Sequence, residues 1–442
     1  MMACKTLPPG PDVAVRWPAT CWLDGDDRFG ANRAVCDVID ELVRDEAQIG
    51  MTVSCWWRGE EVVRCGGGCY RSLTRDAWAP VAASTPFPCN SVSKGVAAVA
   101  LLACVDDGLD LDAPAWSVWP ALRGGGCTVG ELASHRGGLV DLSPGFFAAA
   151  LVALLSYFAF GWRRCWDVLL RRVERAAPTA PGGSFAEYHA LTWGMLVGGL
   201  VEKFAGGAHV SDVVADRVAA PLGVAGECYL GRVPPAADAR LARMEPPRRF
   251  RDRRSAAAAR EGAATGTPRR RFEVAAAARL ESRLFVWISN STWFRRISLP
   301  SSNCYVSARA AGRVFASLAD ALADREGPRV VSKATLDVVT TKLRRAPRVP
   351  CKHPDGDYAD VPARYASGFH PWYDVELHGT HAAETLGHTG QGGCAVWLDV
   401  HNDLVVAILK NTFEPLSIAG GGTSPDAIRV AATIRRHLGL GG

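Results

Sequence analysis

The sequence predicts an α+β fold: a mostly antiparallel sheet formed from both ends of the chain, flanked by helices, with a helical domain inserted between them. Three observations carry this. Residues 51–57 and 61–65 are short strand-like runs around Arg58-Gly59-Glu60, a hairpin signal. Residues 395–400 and 404–409 repeat the pattern around His401-Asn402-Asp403. Between the two, apolar residues recur at helical spacing. A chain of 442 residues, 48% hydrophobic and 21% charged, is long enough for two or three structural units around a large core.

Residues 1–33 hold Pro and Trp without a period and read as an N-terminal extension. Residues 34–48 form an amphipathic helix, with Val35, Val38, Ile39, Leu42 and Val43 on one face. After the hairpin, Asn90 precedes an apolar run that meets no glycine between Gly95 and Gly108, the pattern of a buried helix. Thr128 and Glu131 have capping-box spacing, and that short helix stops at Arg136-Gly137-Gly138. Residues 146–160 read as a buried helix, with a membrane-surface or partner-binding helix as the alternative. They number fewer than the ~20 that span a bilayer. Further helices are expected over 166–176, 188–204, 210–218, 305–322, 332–341 and 427–438. The units are therefore 34–115 with 284–442 for the sheet, 116–244 for the helical domain, and 245–283 for an insertion.

That insertion differs in composition, being built of Arg, Ala and Gly with almost no large apolar side chains, and reads as an exposed loop. Most of the net charge of +5 comes from its arginines, so the whole chain does not read as a nucleic-acid binder; 248–271 leaves only an anion-contacting loop as an alternative. The 14 cysteines are scattered, without repeated zinc spacing, and suit a reduced compartment. The first residues lack the basic start and apolar run of a signal peptide, so an intracellular location is expected. The sequon Asn290-Ser291-Thr292 is then idle.

The chemistry centres on Ser91-Val92-Ser93-Lys94. On a helix, Ser91 and Lys94 share a face, close enough for the amine to touch the hydroxyl. A lysine among apolar residues loses its proton readily, because burial disfavours the charged form. A neutral amine beside a hydroxyl makes an activated nucleophile. Ser93 competes, but its position points about 100° away around the helix. Alone, the pattern also fits a capping serine and a surface lysine.

Two later stretches change that: Tyr188-His189-Ala190 at the start of an apolar helix, and Gly387-His388-Thr389-Gly390-Gln391-Gly392-Gly393 leading into a strand. In order and spacing the three stretches resemble the serine β-lactamase and penicillin-binding-protein superfamily, most nearly the class C β-lactamase-like branch that includes family VIII esterases. The resemblance covers roughly 35–235 and 284–415 and takes in Gly130–Leu139, Ala220–Gly223 and Leu299–Asn303 as well. It implies a β-lactamase/transpeptidase-like fold, with Ser91 as nucleophile, Lys94 as its base and Tyr188 as proton relay. The relay expects a phenol lowered by a nearby ammonium. The backbone N–H groups of Ser91 and Gln391 are implied as the oxyanion hole, and His388, Thr389, Gly390 and Gln391 as the substrate-binding edge. No metal or cofactor is called for.

Two departures set the expected activity. Ala190 stands where many β-lactamases have an asparagine, and His388 where they have a lysine. A histidine is mostly neutral at pH 7 and is a weaker partner for a β-lactam carboxylate. The expectation is a carboxylesterase on small or medium esters; the alternatives are β-lactamase or D-amino-acid peptidase activity, or a non-catalytic scaffold. His135 is expected to be structural, and Asn303 to cap the helix after it. The oligomeric state is not legible. Deleting 248–271 is expected to leave p-nitrophenyl ester turnover within a few-fold, measured beside the full chain; collapse of folding or activity would put that stretch in the core or the site.

Overall fold

Arg58 and Gly59 both take positive φ, 52° and 85°, the two-residue turn that matches the twist of an antiparallel hairpin. The computed structural model describes residues 21–440 apart from 26, 75, 123–125, 141–143, 248–279, 281, 346, 354–355, 363–366, 371–383 and 415–423. The hairpin, Gly50–Trp57 and Glu60–Arg71, is the N-terminal half of the main sheet. Sheet order runs Trp22–Leu23, Glu60–Arg71, Gly50–Trp57, Leu404–Lys410, Ala395–Asp399, Thr385–Thr389, with Trp78–Pro80 joined to Glu60–Arg71. Every neighbour is antiparallel. The register Trp57 opposite Leu404 through Met51 opposite Lys410 joins the two ends of the chain.

Side chains alternate between the sheet's faces. Met51, Val53 and Cys55 meet the helices Ala31–Arg44 and Pro425–His437 through Val35, Ile39, Leu42, Val430 and Ile434. Trp56, Val405, Ala407 and Leu409 turn the other way, into the larger core that holds the helices Val92–Asp106 and Ala308–Leu322. Val92 through Cys104 are buried without a break, so this helix is apolar on all sides but for Ser93 and Lys94. Each buried Val or Leu contributes roughly 1.5–3 kcal/mol, enough together to hold two polar side chains in the interior.

The capping box predicted in the helical unit forms. Thr128 Oγ accepts from Glu131 N–H at 3.1 Å while Glu131 accepts from Thr128 N–H at 3.0 Å, so the capping box forms and opens the helix Val129–Ala133. The helices Trp162–Glu174 and Thr192–Phe204 pack behind it, and Val210–Val213 continues into a π-helical turn, Val214–Ala219.

Several expectations are corrected. Trp22–Leu23, assigned to the extension, is an edge strand, and the first helix begins at Ala31. Tyr305 does not open a helix: Cys304–Val306 is a strand between Phe87–Pro88 and Cys228–Leu230, and Ser307 caps the helix after it through Ala310 N–H. Asn303 therefore caps nothing; its amide donates to Phe294 and Ile297 carbonyls and accepts from Leu299 N–H, tying down that turn. Tyr188 likewise precedes its helix, which starts at Thr192. The helix Pro144–Phe160 is not buried: Leu155, Phe158 and Phe160 are 60%, 66% and 76% exposed. It has no polar face to turn outward, so its outer side is apolar too. Asn290 of the sequon binds Met244 N–H and O at 2.8 Å each, and its amide is spent on packing. The Arg/Ala stretch 248–271 and residues 1–20 lie outside the described residues.

Asp399 and Arg435 pair at 2.8 Å, the carboxylate fully buried and Arg435 nearly so, pinning the C-terminal helix to the strand Ala395–Asp399. Removing one partner of a buried pair strands the other charge. Arg435→Leu is therefore expected to cost about 3–5 kcal/mol in urea unfolding; a midpoint within error of wild type would show the pair to be dispensable.

Candidate active site

The turn Cys89–Ser91 enters the buried helix with Asn90 at φ 45°, a left-handed conformation that asparagine tolerates. This sharp entry leaves Ser91 half-buried at the helix start, while Ser93 and Lys94 are fully inside. Lys94 Nζ lies 3.2 Å from Ser91 Oγ, 2.9 Å from the Ala190 carbonyl and 3.1 Å from the Ser301 carbonyl. Burial alone holds this amine well below the usual lysine range. The two carbonyls only accept, so a neutral amine gives them its two hydrogens and turns its lone pair on the Ser91 hydroxyl.

Tyr188 OH approaches the same Ser91 Oγ at 2.9 Å. Burial pushes this phenol up, and the bond to Ser91 offsets that only in part. The expected lowering by an ammonium is thus corrected: desolvation raises the Tyr188 phenol and favours the uncharged form of both groups. Tyr188 is held by its neighbours rather than by a helix. Glu187 N–H donates to His135 O and His189 N–H to His135 Nδ1, at 3.1 and 2.9 Å. His135, at φ 58°, stacks 4.9 Å from the Tyr188 ring. Burial pushes both histidines down, His189 to about 4, so they act as neutral props. Ser93 donates to the Asn90 carbonyl and accepts from Cys304 N–H at 2.9 Å, which ties the helix to a strand and turns it away from Tyr188.

Gly387, His388 and Thr389 belong to the strand Thr385–Thr389 at the sheet's edge, one strand before the one that the stretch leads into. The turn comes next: Gly392 and Gly393 have φ 98° and 97°, and Gly393 N–H donates to Gly390 O. A Cβ on Gly390 would fall 2.2 Å from Cys89 O and 3.5 Å from Ser91 N, so only glycine lets the edge close on Ser91. Asn90 fastens this contact by donating its amide to Gln391 O. His388 is 4% exposed, with Nδ1 2.6 Å from Thr389 O. A carbonyl accepts, so Nδ1 carries hydrogen.

These groups floor a cavity of about 640 Å³. Ser91, Tyr188, His388, Thr389 and Gln391 line it, and Gly390 lies beneath. Its walls are Leu151, Leu154, Leu169, Met195, Ile288 and Trp293 with other apolar side chains, and no Asp, Glu, Lys or Arg is among the described residues that line it. Among the described residues no cluster suited to a metal ion occurs. Sequence reasoning missed His370, which lines the cavity 5.7 Å from His388, and the helical residues 282–290, which supply Phe285 and Ile288. It also missed the two carbonyls on Lys94, which carry no side-chain signal. Asn90 before the serine was the one signal that pointed to the entry turn.

The family model described as Beta-lactamase matches residues 36–424. A protein of Mycobacterium tuberculosis (strain ATCC 25618 / H37Rv) named esterase/beta-lactamase LipL is 26% identical over 346 residues, 76% of this chain and 72% of that one. Among solved structures, a family VIII carboxylesterase superposes with a TM-score of 0.70 at 21% identity, covering 94% of this chain and 100% of its own. A penicillin-binding protein homologue from Caulobacter crescentus gives 0.64 at 22%, covering 93% and 100%. EstA from Arthrobacter nitroguajacolicus Rue61a gives 0.64 at 20%, covering 92% and 97%.

Proposed function

The chain belongs to the Beta-lactamase family of hydrolases, and we propose that within it this protein is a carboxylesterase working through an acyl-enzyme on Ser91. The observation that carries the reading is the Ser91 hydroxyl held between the buried Lys94 amine and the Tyr188 phenol at the floor of an apolar cavity.

Lys94 takes the Ser91 proton as Oγ attacks the ester carbonyl. The oxyanion faces the N–H groups of Ser91 and Gln391. The C–O bond to the alcohol breaks, and the departing alkoxide takes the Tyr188 proton. In the second half, water gives a proton to the Tyr188 phenolate and attacks the acyl carbonyl. Ser91 Oγ then leaves with the proton stored on Lys94. Both groups return to their starting state, and no external acid is consumed.

A cavity lined by apolar groups, with no Lys or Arg among its described lining residues, favours a neutral ester over an anionic β-lactam, whose carboxylate would lose its hydration without gaining a cation there. The Thr389 hydroxyl serves as a polar donor for the ester oxygens, and the His388 ring shapes the floor beside it. The name of the mycobacterial relative keeps β-lactam hydrolysis as the second reading.

Two outcomes are expected. Wild type incubated with a fluorophosphonate should be labelled at Ser91, located by mass spectrometry, and should hydrolyse a short-chain p-nitrophenyl ester; Ser91→Ala should lose both. No labelling of folded wild type would leave a non-catalytic scaffold, and labelling at Ser93 would move the nucleophile. The base must be neutral, and burial depresses its pKa. Turnover should therefore be full above that depressed value and fall as pH drops through it. Lys94→Arg, charged at every pH, should lose about 10²–10⁴-fold in kcat/KM across the profile; a profile flat through acid pH, or an active Arg variant, would remove Lys94 as the base.

A further inference from the structure

The helix Pro144–Phe160 has two apolar sides with different neighbours. Ala150, Leu151, Ala153 and Leu154 line the cavity over Ser91. Ala148, Leu151, Val152, Leu155, Phe158 and Ala159 form an exposed stripe at spacings of three and four. Leu151 belongs to both sets and is 59% exposed, so the cavity meets the surface there. The helical residues 282–290 repeat the arrangement. Phe285 and Ile288 face the cavity, while Leu284 and Trp287 are 50% and 63% exposed, and Leu280, one turn earlier, is 69% exposed. Solvent-facing Leu, Phe and Trp on two elements around one opening exceed the scattered apolar residues of an ordinary surface.

We propose that this exposed apolar face around the opening docks on an anionic lipid surface, from which the cavity draws a lipid ester. The nature of the substrate rests on the esterase reading; the contact itself does not. Three observations select this occupant. First, Arg164 and Arg283, both exposed beside the face, are basic. The run 144–166 contains no acid, Arg164 is exposed directly after the helix, and Arg283 is exposed beside Leu284. Arg163, the third, is already paired with Glu202. Secondly, the segment outside the described residues leaves and returns here. Met244 is bonded to Asn290, and the chain resumes at Leu280. By sequence alone, residues 248–271 carry nine arginines against two acids, while the rest of the chain has a small negative net charge. Such a basic stretch adds attraction to anionic headgroups within about a Debye length. Thirdly, the helix has the wrong length to cross. Its 17 residues reach about 25 Å at 1.5 Å each, short of a ~30 Å hydrocarbon core, and no helix among the described residues meets the criteria for a span.

A second copy of the chain is the competing occupant. A copy seated over Leu151 would cover the place where the cavity opens, whereas a lipid surface presents substrate to it.

The test is co-sedimentation of the full chain with phosphatidylcholine vesicles and with phosphatidylcholine–phosphatidylglycerol vesicles, together with sedimentation equilibrium in their absence. The variant Leu155→Ser/Phe158→Ser/Phe160→Ser removes exposed side chains that do not line the cavity; Trp287→Ser is the second variant, on the other element. Wild type should partition onto the anionic vesicles roughly tenfold more strongly than onto the neutral ones, and each variant should lose most of that. The triple variant should keep its melting temperature and its turnover of soluble p-nitrophenyl acetate. Equal partitioning of wild type and triple variant, or no preference for the anionic vesicles, overturns the proposal. So does a wild-type oligomer that the variant dissolves while neither protein binds vesicles, which would assign the face to a second copy. A chain that binds the anionic vesicles yet hydrolyses no ester overturns the esterase reading and leaves the docking surface standing.

Discussion

A lysine amine shut away from water sets the terms for the rest of this molecule. Ionised, Lys94 would cost several kcal/mol in desolvation, and among the described residues no carboxylate pairs with it to offset that. Left neutral, it needs acceptors for two hydrogens, and both are backbone oxygens from elsewhere in the chain: Ala190, just before one helix, and Ser301, just before a strand. Three segments far apart in sequence therefore converge on one nitrogen. Ser301 also receives Gly194 N–H on its hydroxyl and donates to Leu191 O, so the convergence is cross-braced. The uninterrupted apolar helix Val92–Asp106 is what keeps water out while this happens.

Much of this architecture was legible because it depends on local periodicity. The hairpin at Arg58-Gly59, the Thr128–Glu131 box and the two terminal helices all follow from side-chain spacing and turn chemistry. The Ser91–Lys94 pairing was legible for the same reason, since three residues is nearly one helical turn. What escaped was non-local. Cys304–Val306 and Thr385–Thr389 are strands because partners wait for them, not because their own pattern alternates. The charge state of Tyr188 was misread because sequence gives a neighbour's type but not its desolvation. The apolar helix Pro144–Phe160 was misread in the other direction: hydrophobicity was taken for burial, although nothing packs over its outer side among the described residues.

The lining of the cavity and the acid–base pair belong to one physical argument. Without Asp, Glu, Lys or Arg among the described lining residues, those walls offer no counter-charge that would favour an ionised Lys94 or Tyr188. Protons shifted between amine, hydroxyl and phenol then stay within a few ångströms and in a medium where short hydrogen bonds are strong. The histidines around Tyr188 fit the same pattern. Kept neutral by burial, His135 and His189 orient backbone and ring without adding a field of their own.

The register that joins Gly50–Trp57 to Leu404–Lys410 has a consequence for how the chain is made. The N-terminal hairpin emerges from the ribosome early, with one edge lacking its partner until almost the whole polypeptide has followed. For that interval the strand displays open amide and carbonyl groups beside Met51, Val53 and Cys55, a template that any other extended segment could occupy. Synthesis of this protein thus includes a long wait with an adhesive edge, and the cell must shield that edge until the last strands arrive.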